Sequence, residues 1–357
     1  MAVNVGLDIG TSAIRAAVVR TGKGTPQLIR YGEVALPTGA VSNGEIVDDV
    51  AVGEAIRRLW KKAKLPKTRV IVGLANQRVI VRRIDLPAMP ESELEESLAF
   101  QVQDYIPIPT EDAILDFVPL EEFATPDGEP MMSILAIAAQ RDMANDFLSV
   151  LTATGIKVLA VDLQAFSLVR AVYGGTLNLD RGADAIVNIG AGLTQIAIVQ
   201  GGAVRLLRIV PIGGNSFTSV LRDLVDGQTG DAEQVKRRVG VQPEGPADPN
   251  RTDGKVREAL TRQADVLIEE VRGSIDYHVS QSSDGRVERL MISGNAARLP
   301  HLASRMGRSL GLNIEPIRML GTSRLEVGGR IGLSDEELKQ TEPVLPVPVG
   351  LALWGEV

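Results

Sequence analysis

The 357-residue chain has no cysteine, which excludes disulfides and thiolate-held metal sites. Its two histidines, His278 and His301, stand in no HExxH-like spacing, so a histidine-held zinc hydrolase or a Ser–His–Asp hydrolase lacks its parts. Aromatic residues make up only 3% of the chain, and the core must be filled by Leu, Ile, Val and Ala. There is no basic excess: the net charge is −7, which argues against general affinity for nucleic acid or an anionic membrane. No apolar run reaches the roughly 18 residues a membrane span needs. The opening segment MAVNVGLDIG lacks the basic stretch and long apolar run of a signal peptide. The chain therefore reads as cytoplasmic, without direct membrane insertion.

What is present is ordinary globular composition, 44% hydrophobic and 23% charged, at a length that predicts roughly two domains. One device occurs twice. Gly6-Leu7-Asp8-Ile9-Gly10-Thr11-Ser12 opens the chain, and Val187-Asn188-Ile189-Gly190-Ala191-Gly192-Leu193-Thr194 opens its second half. Each is an apolar strand ending in Asp or Asn, then Ile, then Gly. Each turns through small residues into a second apolar strand. Small residues in a tight turn expose backbone N–H groups in a concavity suited to anions. Two such turns facing each other could clamp a polyphosphate. The acid or amide before each turn could hold the water shell of Mg²⁺, which usually keeps several waters.

Alternation and helical periodicity predict an α/β chain. Strands are expected at 3–9, 13–19, 28–36, 69–74 and 78–86, with a helix at 49–62 burying Val52, Ala55, Ile56 and Leu59. The far side of that helix is basic and runs into Lys61, Lys62, Lys64 and Lys67, which reads as a solvated face. A helix at 91–105 places Leu94, Leu98 and Val102 four apart, with Glu91, Glu93, Glu95 and Glu96 at its positive N-terminus, and Pro107 and Pro109 stop it. Strands at 113–120 and 132–139, a helix at 143–154 ended by Gly155 and a strand at 157–162 follow. The second half predicts strands from 184 to 212, helices at 216–225, 231–239, 256–279 and 299–310, a Pro-rich loop at 241–253 and a buried strand at 289–293.

Five pieces fit one nucleotide site. They are the turn of Gly10, Thr11 and Ser12 after Asp8; the turn of Gly190, Ala191, Gly192, Leu193 and Thr194 after Asn188; Gly213-Gly214 before a helix; Glu233 and Lys236 on one helical face, placed to grip a ribose or purine edge; and Ser293-Gly294-Asn295-Ala296, with Arg298 nearby, where a base could lie on backbone. Each piece alone is an ordinary turn or surface pair, and their order carries the signal.

That order resembles the actin/Hsp70/sugar-kinase ATPase superfamily. Within it the chain is similar to the FtsA/PilM branch, and more closely to the PilM family of type IV pilus assembly. The segment that carries the closer resemblance is Leu86-Pro-Ala-Met-Pro-Glu-Ser-Glu-Leu-Glu-Glu-Ser-Leu-Ala-Phe-Gln-Val-Gln-Asp-Tyr-Ile-Pro-Ile-Pro109, followed by Ile114-Leu115-Asp116-Phe117. The resemblance implies a duplicated, two-lobed actin-like (ribonuclease-H-like) fold. The first lobe (1A) would cover 1–86 and 159–183, an FtsA-type inserted 1C subdomain 87–158, and the second lobe (2A/2B, with 2B about 215–285) 184–357. A C-terminal segment at about 340–357 would pack back towards the first lobe.

It also implies ATP with Mg²⁺ between the lobes, Asp8 reaching the metal through water, and a partner. That partner would be the N-terminal cytoplasmic tail of a PilN-like bitopic inner-membrane protein, which would recruit the chain to the inner face of the membrane. Its groove would draw on Val81, Ile84, Leu94, Leu98, Val102 and Tyr105. Other pilus-assembly proteins and self-association remain open as further contacts.

Two departures bear on activity. Asn188 stands where the resemblance implies Asp, and an amide can orient water but cannot accept its proton. Ser293-Gly294-Asn295-Ala296 replaces a run of glycines, adding bulk where a base would lie. The expectation is a nucleotide-binding scaffold with slow or absent hydrolysis. The alternatives are an FtsA-like division filament, whose amphipathic membrane-targeting tail has no counterpart before the chain ends at Val357, and a sugar- or acetate-kinase-type phosphotransferase, for which no catalytic carboxylate beyond Asp8 is evident.

Overall fold

A computed structural model describes residues 2–355 apart from 68, 175–181, 226–228, 244–251, 282–284 and 330. The expected loop at 241–253 falls largely on 244–251, outside the described residues. So do the last two residues and most of the stretch that joins the expected lobes.

The chain opens with β1 (Ala2–Ile9), β2 (Ala13–Thr21) and β3 (Gln27–Ala35), a short pair β4 (Val41–Ser42) and β5 (Glu45–Ile46), then α1 (Asp49–Ala63) and β6 (Val70–Leu74). The Asp48 carboxylate caps α1 by accepting the Ala51 N–H at 2.9 Å, and Lys64 ends it in the left-handed region. Next come β7 (Val79–Pro87), α2 (Glu91–Val102), β8 (Ala113–Ala124), β9 (Pro130–Gln140) and α3 (Arg141–Ala153), then β10 (Val158–Leu163) and α4 (Gln164–Tyr173). The second half runs β11 (Ala183–Ile189), β12 (Thr194–Gln200), β13 (Ala203–Val210), α5 (Gly214–Ser219), α6 (Thr229–Val239) and α7 (Thr252–Gln281). It ends with β14 (Val287–Ser293), α8 (Leu302–Leu310), β15 (Asn313–Pro316), β16 (Glu326–Val327), α9 (Asp335–Thr341) and α10 (Pro346–Ala352).

Two sheets repeat one topology. The first has the order β10-β6-β1-β2-β3-β16 and the second β13-β12-β11-β14-β15. In both, three antiparallel strands are continued by two parallel ones. Both central hairpins close at the same point, Ile9 opposite Ile14 and Ile189 opposite Thr194. The central strands are buried on both faces and read as near-continuous apolar runs, as strands covered on both sides do. A third sheet, β7-β9-β8, stands with α2 around its own apolar cluster.

Helix α10 lies in the core of the first sheet. A Cβ on Gly6 of β1 would fall 1.9 Å from the Pro348 carbonyl, and one on Gly350 1.9 Å from the Ser167 carbonyl of α4. Local differences from the expected elements have local causes. The helix expected from 299 starts at Leu302, because Pro300 and the left-handed His301 (φ 67°) break the turn before it. The helix expected at 216–225 is α5 followed by a separate 3₁₀ turn at Arg222–Leu224.

Candidate functional site

The two small-residue turns meet. Gly10 donates its N–H to the Ala13 carbonyl at 3.0 Å and Gly190 to that of Leu193 at 2.9 Å, so both loops fold alike. The N–H groups of Thr11, Ser12, Ala191 and Gly192 find no acceptor among the described residues, the condition for an anion-binding concavity. The loops touch at Gly192, where a Cβ would sit 2.5 Å from Thr11 Oγ1. The second loop is held from behind: Gly214 N–H donates to the Gly190 carbonyl at 2.9 Å and Asn215 N–H to that of Ala191 at 2.8 Å. A Cβ on Gly213 would lie 2.6 Å from the Ala191 oxygen. Gly213 and Gly214 therefore position the loop instead of presenting free donors. Thr194 is likewise an anchor, fully buried with its hydroxyl donated to the Ile212 carbonyl at 2.6 Å, and Leu193 turns inward.

Below the loops runs a buried polar chain that the motifs did not foretell. Gln195 Nε2 donates to Gln164 Oε1 at 2.6 Å, and Gln164 Nε2 donates to Asp8 Oδ1 at 2.9 Å. Arg15 lies 3.6 Å from the other Asp8 oxygen and 3.2 Å from Glu33. Burial raises the Asp8 carboxyl above the usual range, with the Arg15 charge opposing it. On the other side, Ser293 Oγ donates to Asn188 Oδ1 at 3.0 Å. Gly294, at φ 89°, closes that corner: a Cβ there would meet the Ile189 carbonyl at 2.2 Å and Asn188 Oδ1 at 2.8 Å. Its N–H is donated to the Pro343 carbonyl at 2.7 Å.

A cleft of about 960 Å³ opens from the loops, walled by Gly214, Glu233, Lys236, Asn295, Ala296 and Arg298 and by Gln340 and Thr341 of α9. This brings all five sequence pieces to one place. Lys236, however, is 7% exposed. Its ammonium spends its donors on Gly214 O at 3.0 Å, Thr218 Oγ1 at 2.9 Å and Glu233 Oε2 at 2.5 Å. The expected grip on a ligand by this pair is thus corrected: Lys236 spends its ammonium on stapling α6 to α5, although its side chain and that of Glu233 both line the cleft. Arg298 reaches the Gln340 carbonyl at 3.3 Å, tying the Gly294 corner to α9.

Burial works against the Glu233 carboxylate, but hydrogen bonds from Lys236, Thr218 and Arg237 bring it down from 4.5 to about 2. A folded value below the unfolded one stabilises the fold above pH 4.5, and that stability drains away as pH falls toward about 2. Acid titrations followed by circular dichroism are therefore expected to show Glu233→Gln flattening the loss of stability in this window. An unchanged acid limb would show that the contacts do not favour the ionised form.

The groove candidates are corrected by burial. Ile84, Leu94, Leu98 and Val102 are at most 7% exposed and form the interior beneath the third sheet, with Ile134 and Ala136. A partner cannot touch them without opening that core. Val81 is partly buried against the first core and Tyr105 is at the surface. Helical spacing cannot tell a buried stripe from a docking stripe.

The repeated sheet, its paired loops and the cleft between them define an actin-like protein. The chain belongs to the PilM family: residues 6–356 match the family described as Type IV pilus assembly protein PilM. A chain from the PilM-PilN type IV pilus biogenesis complex is 26% identical, with a TM-score of 0.84 over 99% of this chain and 98% of that one. The cell division protein FtsA of Bacillus subtilis (strain 168) is 25% identical over 262 residues, 66% of this chain. The chain spans only 58% of that relative's length. MreB 5 of Spiroplasma citri, bound to AMPPNP, shares the fold at a TM-score of 0.54 and 12% identity, over 88% of this chain and 91% of that one.

Proposed function

We propose that this chain is an ATP-binding scaffold of type IV pilus assembly that hydrolyses ATP slowly or not at all and docks the cytoplasmic tail of a PilN-like membrane protein. The observation that carries nucleotide binding is the pair of touching loops with four unspent N–H groups at the mouth of a 960 Å³ cleft, within the size range of small-ligand sites. The N–H groups of Thr11, Ser12, Ala191 and Gly192 would take the phosphates, and the corner of Gly294, Asn295 and Arg298 the base.

No cluster of three His, Asp or Glu side chains exists among the described residues. A bound Mg²⁺ would therefore lean on phosphate oxygens and, through water, on Asp8. Its chemistry would be charge neutralisation on the phosphates. Slow turnover follows from this chain's own groups. Asn188 is an amide whose oxygen already accepts from Ser293, and the Gln164 amide is occupied at both ends. Calorimetry is expected to show saturable ATP binding that Gly192→Val weakens at least tenfold, since its side chain would drive Thr11 out of the first loop. Full binding by a folded variant would place the nucleotide elsewhere.

Partner docking rests on the family and on the 26%-identical chain solved in a PilM-PilN complex. No described helix is long and apolar enough to cross a membrane, so membrane recruitment would come through that tail. The surface that suits it is the outer strand β10. Its outer edge, unpaired among the described residues, presents Leu159 and Val161, 44% and 41% exposed, ready for strand addition. Strand β8 is close by: burial raises the Asp162 carboxyl, and the Asp116 charge adds to that against Arg170. A PilN-like tail peptide is expected to bind one-to-one, and Val161→Asp to weaken it at least tenfold. Equal affinity in a folded variant would remove β10 from the site.

A further inference from the structure

Two unexplained surfaces fit each other. The first is a pocket of about 260 Å³ between the C-terminal part of α1 and the turn after α3. Its floor is apolar, made of Ile56, Trp60, Leu65 and Ile156, and its rim carries Arg57, Lys61 and Lys67. From Ala55 to Ile84 the sequence has ten Lys or Arg and no acid, in a chain whose net charge is −7. Three distal arginines of that run are spent, Arg69 on Asn4, Arg78 on Glu45 and Arg83 on Glu121. Lys61 and Lys67 are exposed and have no ion-pair partner among the described residues.

The second surface is the outer face of α2. Phe100 is 71% exposed, which with Val50 is the largest exposure of a large hydrophobic side chain among the described residues. One turn before it stands Glu96 and one turn after it, where the helix has just ended, Asp104, both exposed. Neither carboxylate has a basic partner among the described residues. Leu94, Leu98 and Val102 hold the opposite face of α2 in the core, so Phe100 does not serve the fold of its own subdomain.

We propose that the Phe100 ring of one copy of this chain seats in the α1 pocket of a second copy, with Glu96 and Asp104 against the Arg57, Lys61 and Lys67 rim. A benzyl group between two carboxylates matches an apolar floor between cations in both shape and charge. The two surfaces are different patches on one molecule, so the contact is heterologous and propagates head to tail, as a ring or an open chain, instead of closing as a two-fold dimer. The contact uses neither the cleft nor β10, and stands apart from the proposals for ATP and the tail.

Sedimentation velocity on the full chain at low salt tests this. The wild-type protein is expected to form concentration-dependent oligomers that dissociate as salt screens the rim. The pocket variant Lys61→Glu with Lys67→Glu and the knob variant Phe100→Ser are each expected to remain monomeric. All these side chains are exposed, and melting curves like that of the wild type will confirm folding. An equimolar mixture is the decisive arm: one intact pocket and one intact knob should give a one-to-one dimer and nothing larger. A monomeric wild-type protein, assembly by either variant alone, or a mixture that does not pair would overturn the proposal. So would a monomeric wild type that binds phosphatidylglycerol vesicles through Lys61 and Lys67 but not Phe100, which would assign the basic face to lipid.

Discussion

Replacing Gly6 with valine is expected to lower the melting temperature by roughly 6–12 °C, or to leave the chain insoluble. Helix α10 is keyed onto the first sheet through places where no side chain fits. A Cβ on Gly6 would lie 1.9 Å from the Pro348 oxygen and 2.7 Å from the Ala352 nitrogen, and both neighbours are backbone. Polar contacts fix the same helix: Asn4 Nδ2 donates to the Ala352 carbonyl at 3.0 Å, and Arg170 to that of Gly350 at 2.8 Å. Neither strand nor helix can retreat alone, and overpacking of this kind costs about 3 kcal/mol. At about 2–4 °C per kcal/mol for a larger domain, that gives the stated shift. Gly329→Val, where a side chain meets open space, should leave the melting curve almost unchanged. The lesion should also reach the cleft, because Asp8 follows Gly6 on the same strand and Gln164 begins the helix that α10 covers. A variant melting like the wild type would mean that the C-terminal helix yields where its backbone contacts forbid it.

The sequence was informative where the fold is local. Each central hairpin with its loop is local, Ala2 to Thr21 and Ala183 to Gln200, so alternation and small turn residues were enough to place the strands and to pair Asp8 with Asn188 as equivalents. The candidate site was legible as five pieces in order. The contacts between them were not: Gln164 and Asp8 are 156 residues apart and Ser293 and Asn188 105, and nothing in a local pattern joins them. A glutamine opening a helix directly after an apolar strand is the one local signal for Gln164. Lys236 was misread for a different reason. An i,i+3 Glu–Lys pair looks the same whether it faces a ligand or staples two helices, and only burial at 7% exposure separates these. The same ambiguity put Leu94, Leu98 and Val102 on a groove when they fill a core. Turns at Pro300 and the left-handed His301 moved a helix start by three residues, a backbone effect invisible to hydrophobic periodicity.

Asn188→Asp is expected to raise Mg²⁺-dependent phosphate release by about a hundredfold, at the low end of what a positioned general base contributes. The substitution is nearly isosteric. Ser293 Oγ, 3.0 Å from Asn188 Oδ1, can donate to a carboxylate as readily as to an amide, so the second loop should keep its shape. What changes is chemistry: the side chain gains a charge for hydrated metal and a lone pair that can take a proton from water. No other side chain in the pocket beneath the loops offers this freely. Asp8 is engaged by Arg15 and Gln164, and Gln164 is held at both ends of its amide. Asn188→Ala removes the amide without adding a base and should stay as slow as the wild type. Calorimetry on all three proteins separates binding from turnover. If Asn188→Asp binds ATP as the wild type does and yet releases no more phosphate, the barrier does not lie at position 188. The locked Gln195–Gln164–Asp8 chain would then be the restraint, and Gln195→Ala, which frees the Gln164 oxygen to accept from water, becomes the substitution that should restore turnover.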